Sequence, residues 1–316
     1  MQKIRLIKLA FVLPVAFLFL SFPLWAGQYP VHLAIWASLG CFLALGTNIT
    51  FGYCGQINFG VIFMYALGAY SSAILQLRLG IHFFLALPLA CLLTTVATAI
   101  VCIPLLRLRG HNLALGTFSL ALVTYTVIGM WRNVTGGSDG MFVPATVIFQ
   151  HEMGDTFYYY FILSLLVLAF IGCERLVSSS AGRAMMAIRE DEVAAVAFGI
   201  NVTRYRRLAF MLNGLLVGLG GVLFGQWNEF LAPSYFDLWM NILIVVMIVF
   251  GGLGSNRGSI VGGATIMLLP EALAVFEVWH VLVYGAILLL TLGFMPKGLY
   301  VTLASLTRRL RGDILH

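Results

Sequence analysis

Charge is scarce in this chain: Asp, Glu, Lys and Arg together make up 9% of its 316 residues. A soluble domain carries about 25%, so an ordinary water-solvated globule is excluded. Catalytic signatures are missing as well. There is no GxxxxGK[ST] run to cradle ATP phosphates, no HExxH pair on a helix and no GxSxG elbow. His32, His82, His111, His151, His280 and His316 stand far apart without metal-ligand spacing. Cys41, Cys54, Cys91, Cys102 and Cys173 lie in apolar surroundings without a CxxC pair, and so read as small buried hydrophobes. Neither catalysis nor a metal site is expected within the chain.

What is abundant is apolar: 61% of residues, with a mean hydropathy of +1.00. A bilayer-crossing helix needs about 20 mostly apolar residues, and ten such stretches stand out. They run roughly over 7–26, 31–51, 57–77, 82–106, 112–131, 157–174, 208–227, 239–253, 259–276 and 279–296. The expected fold is all-α, a polytopic membrane helix bundle of about ten transmembrane helices forming one domain over 1–316. The first stretch superficially resembles a signal peptide, but its apolar run exceeds the usual 7–15-residue core, which favours a retained helix.

The net charge of +6 is then a matter of topology and does not point to nucleic acid. With both termini inside, 16 of the 18 basic residues fall on inner segments and only Arg78 and Arg132 fall outside. Trp25, Trp131, Trp227, Trp239 and Trp279 land near the outer interface, where indole finds both apolar and polar neighbours.

Two connections are long: an outer one at about 132–156 and an inner one at about 175–207 that gathers about a third of the charged residues. The inner loop reads as two short helical pieces. Glu190, Asp191 and Glu192 suit the first turn of the second piece, where carboxylates meet the positive end of the dipole, and Gly199 suits the left-handed position that ends it. Val193, Ala197 and Ile200 are spaced to share a small apolar face. A solvated connector and a docking element for an inner-side partner both fit this pattern. In the outer loop Thr135 to Gly140 reads as a flexible turn first, with Arg132, Gly137 and Asp139 as docking positions second.

Polar groups inside the spans are neutral. Asn48, Gln56 and Asn58 surround Gly52 and Gly55, and Asn213 lies in the seventh span. They read either as interhelical glue or as the lining of a pathway for a small polar solute. The Gly52–Gly60 stretch reads as a break or re-entrant turn, permissible only where protein or water satisfies its backbone. Gly214, Gly218, Gly221 and Gly225 advance by 4, 3 and 4, a helix stripe suited to close packing.

Taken together, several motifs resemble a known family. Glu192, Ala194, Ala195 and Gly199 look like the EAA-type loop by which ABC-importer permeases engage their ATPase. The string from Gly182-Arg183-Ala184 through Arg189-Glu190-Asp191-Glu192 to Gly199-Ile200-Asn201 is similar to branched-chain amino acid permeases of the LivM-like type, whose relatives also import urea and short amides. Gly52 to Gly60 with Gly68-Ala69-Tyr70, Leu108-Arg109-Gly110 with Thr135 to Gly140, and Gly251 to Ser255 match further stretches of that family. The resemblance covers about 35–300. It implies a multi-pass permease subunit of the bacterial inner membrane, with ATP and Mg on separate partner chains and no cofactor of its own. It also implies a second homologous permease, two cytoplasmic ATPase subunits and a periplasmic substrate-binding protein. An ATP-independent channel or secondary carrier is the alternative reading of the residues. Asn58, where that family commonly carries Ser, and Val61, where a polar residue is frequent, lie near the expected pathway, so substrate identity does not transfer with the fold.

Overall fold

A computed structural model describes residues 21–273 apart from 24, 109, 149 and 150, together with 285, 289, 298, 300 and 302, and without the side chains of 147, 148, 151 and 152. Most of the first expected span and of the tenth, Trp279 and both terminal segments lie outside the described residues. The described part is helical almost throughout. Its long helices are α1 (Gln28–Asn48), α2 (Val61–Leu79), α3 (Phe83–Leu105), α4 (His111–Met130) and α5 (Asp155–Ser178). Two short helices follow, α6 (Ser180–Glu190) and α7 (Glu192–Ala197), and then α8 (Val202–Asn228), α9 (Leu238–Gly251) and α10 (Asn256–Ala272). A π-helical turn, Ile49–Tyr53, prolongs α1.

Short polar side chains set the helix starts on the second half of the chain. Ser179, Asp191, Asn201, Asp237 and Ser255 each accept from a backbone N–H in the first turn of α6, α7, α8, α9 and α10 respectively. Each cap satisfies donors that the helix itself leaves free. Two caps also correct the inner loop. Because Ser179 and Asn201 end and begin the long helices, only 179–201 stands outside them, a shorter segment than 175–207.

Six helices, α1 with its π turn, α2, α3, α4, α5 and α8, are long and apolar enough to cross a membrane. The expected spans at 239–253 and 259–276 correspond to α9 and α10, of 14 and 17 residues. At 1.5 Å per residue α9 reaches about 21 Å, short of a hydrocarbon core about 30 Å thick. The chain is a multi-pass membrane protein.

Packing is closest where glycines line the contacts. The stripe on α8 divides between two neighbours: Gly214 and Gly218 lie on Thr98 and Thr94 of α3, whereas a Cβ on Gly221 would overlap the Tyr65 carbonyl of α2. A Cβ on Gly68 would likewise overlap the Gly218 carbonyl, and Gly225 is only in ordinary contact with Leu231 and Ala69. Gly40 and Gly263 bring α1 and α10 together in the same way. Tyr65, Phe224 and Phe236 form an aromatic cluster, tilted or edge-on to one another with centroids 5.3 to 6.2 Å apart. The result is a core built on α1 and α8. The outer flank of α3 exposes Leu85, Leu89, Leu92, Val96, Ile100 and Ile103 at helical spacing. That stripe is a liability in water and a natural surface against lipid.

Contacts divide the molecule into two ends. One carries Arg175, Arg183, Arg189, Arg204, Arg206, Arg207 and Arg257. At the other, Trp227 donates to Asp155 at 3.1 Å, Arg78 donates to the Asn133 carbonyl and Tyr29 donates to Glu271. There the connection after α4 is tied down: Met141–Phe142 pairs antiparallel with Phe230–Leu231, and the Thr135 hydroxyl donates to the Ile128 carbonyl at 2.7 Å. The segment read as a flexible turn is therefore built into the bundle. Arg132 and Asp139 are exposed, and buried Gly137 packs beneath Arg132.

Overpacking a tight core typically costs about 1–3 kcal/mol. Gly68→Ala is therefore expected to lower the thermal midpoint of the purified protein in detergent, whereas Gly172→Ala, with nothing within 4 Å, leaves it in place.

Candidate functional site

The break after α1 is the structural centre of the site. From Cys54 to Gly60 the chain is non-helical, yet Gly52, Tyr53, Cys54, Gln56, Asn58 and Gly60 are all buried. Buried backbone groups need partners, and several helices supply them. Thr117 of α4 accepts from Phe59 N at 3.0 Å, Asn241 of α9 donates to the Phe59 carbonyl, and Arg189 of α6 donates to the Gly52 carbonyl. Asn58 accepts from Gly60 N at 2.9 Å, and Gln56 N donates to the Thr50 carbonyl at 2.9 Å. Asn48 accepts from Gly254 N at 2.9 Å, which ties the turn between α9 and α10 to the same place.

Those bonds leave a set of buried polar atoms without a hydrogen-bond partner: Asn48 Nδ2, Gln56 Oε1, Asn58 Nδ2, Thr98 Oγ1, Asn213 Oδ1 and Asn241 Oδ1, with the Tyr65 and Tyr70 hydroxyls above them. Asn213 Nδ2 reaches Thr50 Oγ1 at 3.2 Å, so α8 joins the group. An unpaired buried amide costs about 1–3 kcal/mol, a cost a protein sustains where a ligand or water completes the set. The chemistry is neutral: amide and hydroxyl donors and acceptors suited to a small polar solute. The void lined by Asn58, Thr98 and Phe210 measures ≈ 10 Å³, room for about one water at most.

Asn48, Gln56, Asn58 and Asn213, singled out from sequence, all lie in this group. Gly52 and Gly55 flank it, Gly52 against Asn48 and Gly55 against the Arg189 side chain. Thr98, Thr117 and Asn241 were not legible. Thr98 and Thr117 are each one of several hydroxyl residues on their helices, and Asn241 is an isolated amide on apolar α9. Thr117 also donates back to the Leu113 carbonyl at 2.9 Å, the usual fate of a helical threonine.

The second half of the site is the pair α6–α7 at the basic end. Asp191 caps α7, accepting from Val193 N at 2.8 Å and Ala194 N at 3.0 Å, and Gly199 ends it at φ 78°. Glu190 belongs to the last turn of α6 and not to the start of α7, because the cap falls one residue later. Glu192 forms a two-bond ion pair with Arg206 at 3.1 and 2.8 Å, which fastens α7 to α8. Arg183 donates to the Ser178 carbonyl. Ala195 turns inward and is buried, while Val193 is 79% and Phe198 86% exposed, with Val196 exposed beside them. The outward apolar surface is thus Val193, Val196 and Phe198, larger than the expected face of Val193, Ala197 and Ile200. Exposed apolar side chains among charges mark contact surfaces.

The chain matches the family described as branched-chain amino acid transport system / permease component over residues 29–292. It belongs to that permease family. Among its relatives are the high-affinity branched-chain amino acid transport system permease proteins LivM of Salmonella typhimurium and Escherichia coli, 28% and 27% identical over 92% of this chain and 74% of theirs. The probable LivM permease of Methanocaldococcus jannaschii is 23% identical over 84% of this chain and 91% of its own. No solved structure matches the chain.

Within this permease, Thr117→Val removes only the hydroxyl that accepts from Phe59 N. Leaving that N–H unsatisfied is expected to destabilise the fold by about 1–3 kcal/mol, measured as a lowered thermal midpoint. Ser119→Val, an exposed hydroxyl two positions on, serves as the unaffected control.

Proposed function

We propose that the chain is one permease subunit of an ABC importer that carries branched-chain or related small amino acids across the bacterial inner membrane. The observation that carries the reading is the set of buried, unpartnered neutral amides around the α1–α2 break, within a permease whose relatives bear the branched-chain transport name. An aliphatic zwitterion presents an ammonium donor, a carboxylate acceptor and an apolar side chain. Neutral amides serve both charged ends without the desolvation cost of a fixed protein charge. Asn48, Gln56, Asn58 and Asn213 line the pathway in this reading, with Thr98 and Asn241 added.

Sidedness follows from charge. The end holding Arg175 to Arg207 faces the cytoplasm, since basic residues collect on that side. ATP and Mg act on two cytoplasmic ATPase chains, which dock on Val193, Val196 and Phe198. The opposite end, with exposed Arg132 and Asp139, receives a periplasmic binding protein, and a second homologous permease completes the transporter. Because the void at Asn58 is far smaller than an amino acid, passage requires α2, α3 and α8 to part, which the ATPases drive.

Reconstitution into vesicles with its partner subunits tests this. Leucine uptake is expected only with ATP inside the ATPase compartment, and uptake by the chain alone overturns the reading. Urea or a short amide carried in place of leucine would revise the substrate and keep the mechanism. Phe198→Asp changes an exposed residue. It is expected to leave folding intact while weakening ATPase co-purification at least about tenfold, the equivalent of 1.4 kcal/mol.

A further inference from the structure

Three elements meet at one point on the basic end. The π turn of α1 contributes Gly52, the turn between α9 and α10 contributes Gly254, and α6 contributes Arg189. The Arg189 guanidinium donates to the Gly52 carbonyl, a Cβ on Gly254 would come within 2.7 Å of its Nη1, and a Cβ on Gly55 within 2.9 Å of its Cγ. Gly55 and Gly254, both at positive φ, leave room for the long side chain to lie across the backbone, whereas a Cβ on Gly52 would overlap Asn48. Directly behind this contact is Asn48. Its Oδ1 accepts from Gly254 N and abuts Gly52, and its Nδ2 has no partner. Arg183 lies on the same short helix and bonds only to the Ser178 carbonyl at its own end.

We infer that Arg189 is the positioning residue of the transport step: a latch through which the α6–α7 segment sets the break in α1 and, with it, the free amide of Asn48. The inference rests on the reading of α6–α7 as the ATPase-driven segment and deepens it. A guanidinium donating to a carbonyl at the open end of a π turn holds that turn against the α9–α10 turn. When α6 moves, the donor leaves, the Gly52 carbonyl loses its partner, and the Gly52–Gly254–Asn48 contact is free to rearrange. Motion at the basic end thus becomes a change in where a pathway donor points. The sequence places Arg189 beside acidic residues, which invites an ion-pair role; the structure directs it to a backbone carbonyl 137 positions away.

The test uses the complete reconstituted transporter and reads solute carried per ATP hydrolysed. Arg189→Ala is expected to keep subunit assembly and ATP hydrolysis while the transport ratio falls at least fivefold. Arg189→Lys, whose ammonium still donates to a carbonyl, is expected to recover part of the ratio, and Arg107→Ala, at an exposed arginine outside α6–α7, to match wild type. A purely structural role would lower hydrolysis and uptake together and leave the ratio unchanged, which overturns the latch. If Arg189→Ala does not assemble, Arg189→Lys decides: a wild-type ratio with normal solute KM supports the donor role, and a ratio as low as that of a transport-dead variant overturns it. Phe198→Asp, run alongside, separates the two readings. Normal ATPase docking by Phe198→Asp together with a lost ratio in Arg189→Ala overturns the docking surface while supporting the latch.

Discussion

Backbone that leaves the helix inside a membrane protein must find its hydrogen bonds elsewhere, and this constraint organises the whole molecule. The stretch from Cys54 to Gly60 is not helical, so α4 and α9 send side chains to Phe59 and α6 sends one to the neighbouring Gly52 carbonyl. Those helices are thereby held in register with α1 and α2. The close glycine contacts of α8 against α2 and α3 fix the frame around the break. A break of this kind is expensive to build, and buried amides are left unpartnered beside it.

The same constraint links the break in α1 to the exposed apolar surface of α7. Arg189 lies one residue before the end of α6 and Phe198 one past the end of α7, on a segment held by two caps and one ion pair. Glu192 and Arg206 tie that segment to α8, whose middle carries Asn213. A push on the exposed apolar surface therefore reaches the polar interior along two routes, one through α8 and one through the break in α1.

Much of this was legible in the residues. Apolar run lengths and turn glycines placed the long helices, and the density of small polar residues around Gly52 marked the break. Paired acids followed by alanines and Gly199 marked α7. What stayed hidden depends on distance in three dimensions. Thr117 is one of several α4 hydroxyls that bond back along their own turn, and Asn241 reads as an asparagine joining two helices. The partners that define them are 58 and 182 positions away. The short reach of α9 was visible in its length, but its role in supplying Asn241 to Phe59 was not. Ala195 and Val196 differ by one position and by a third of a helical turn, and only packing decides which faces out.

The most direct measurement is hydrogen exchange at the Phe59 and Gly60 amides of the assembled transporter in a lipid nanodisc. Both amides lie outside any helix and bond to side chains, so the account predicts protection comparable to that of α1 in the resting state, and faster exchange when ATP is bound. Exchange at the rate of an open loop in the resting state would contradict the claim that this break is held by α4, α6 and α9.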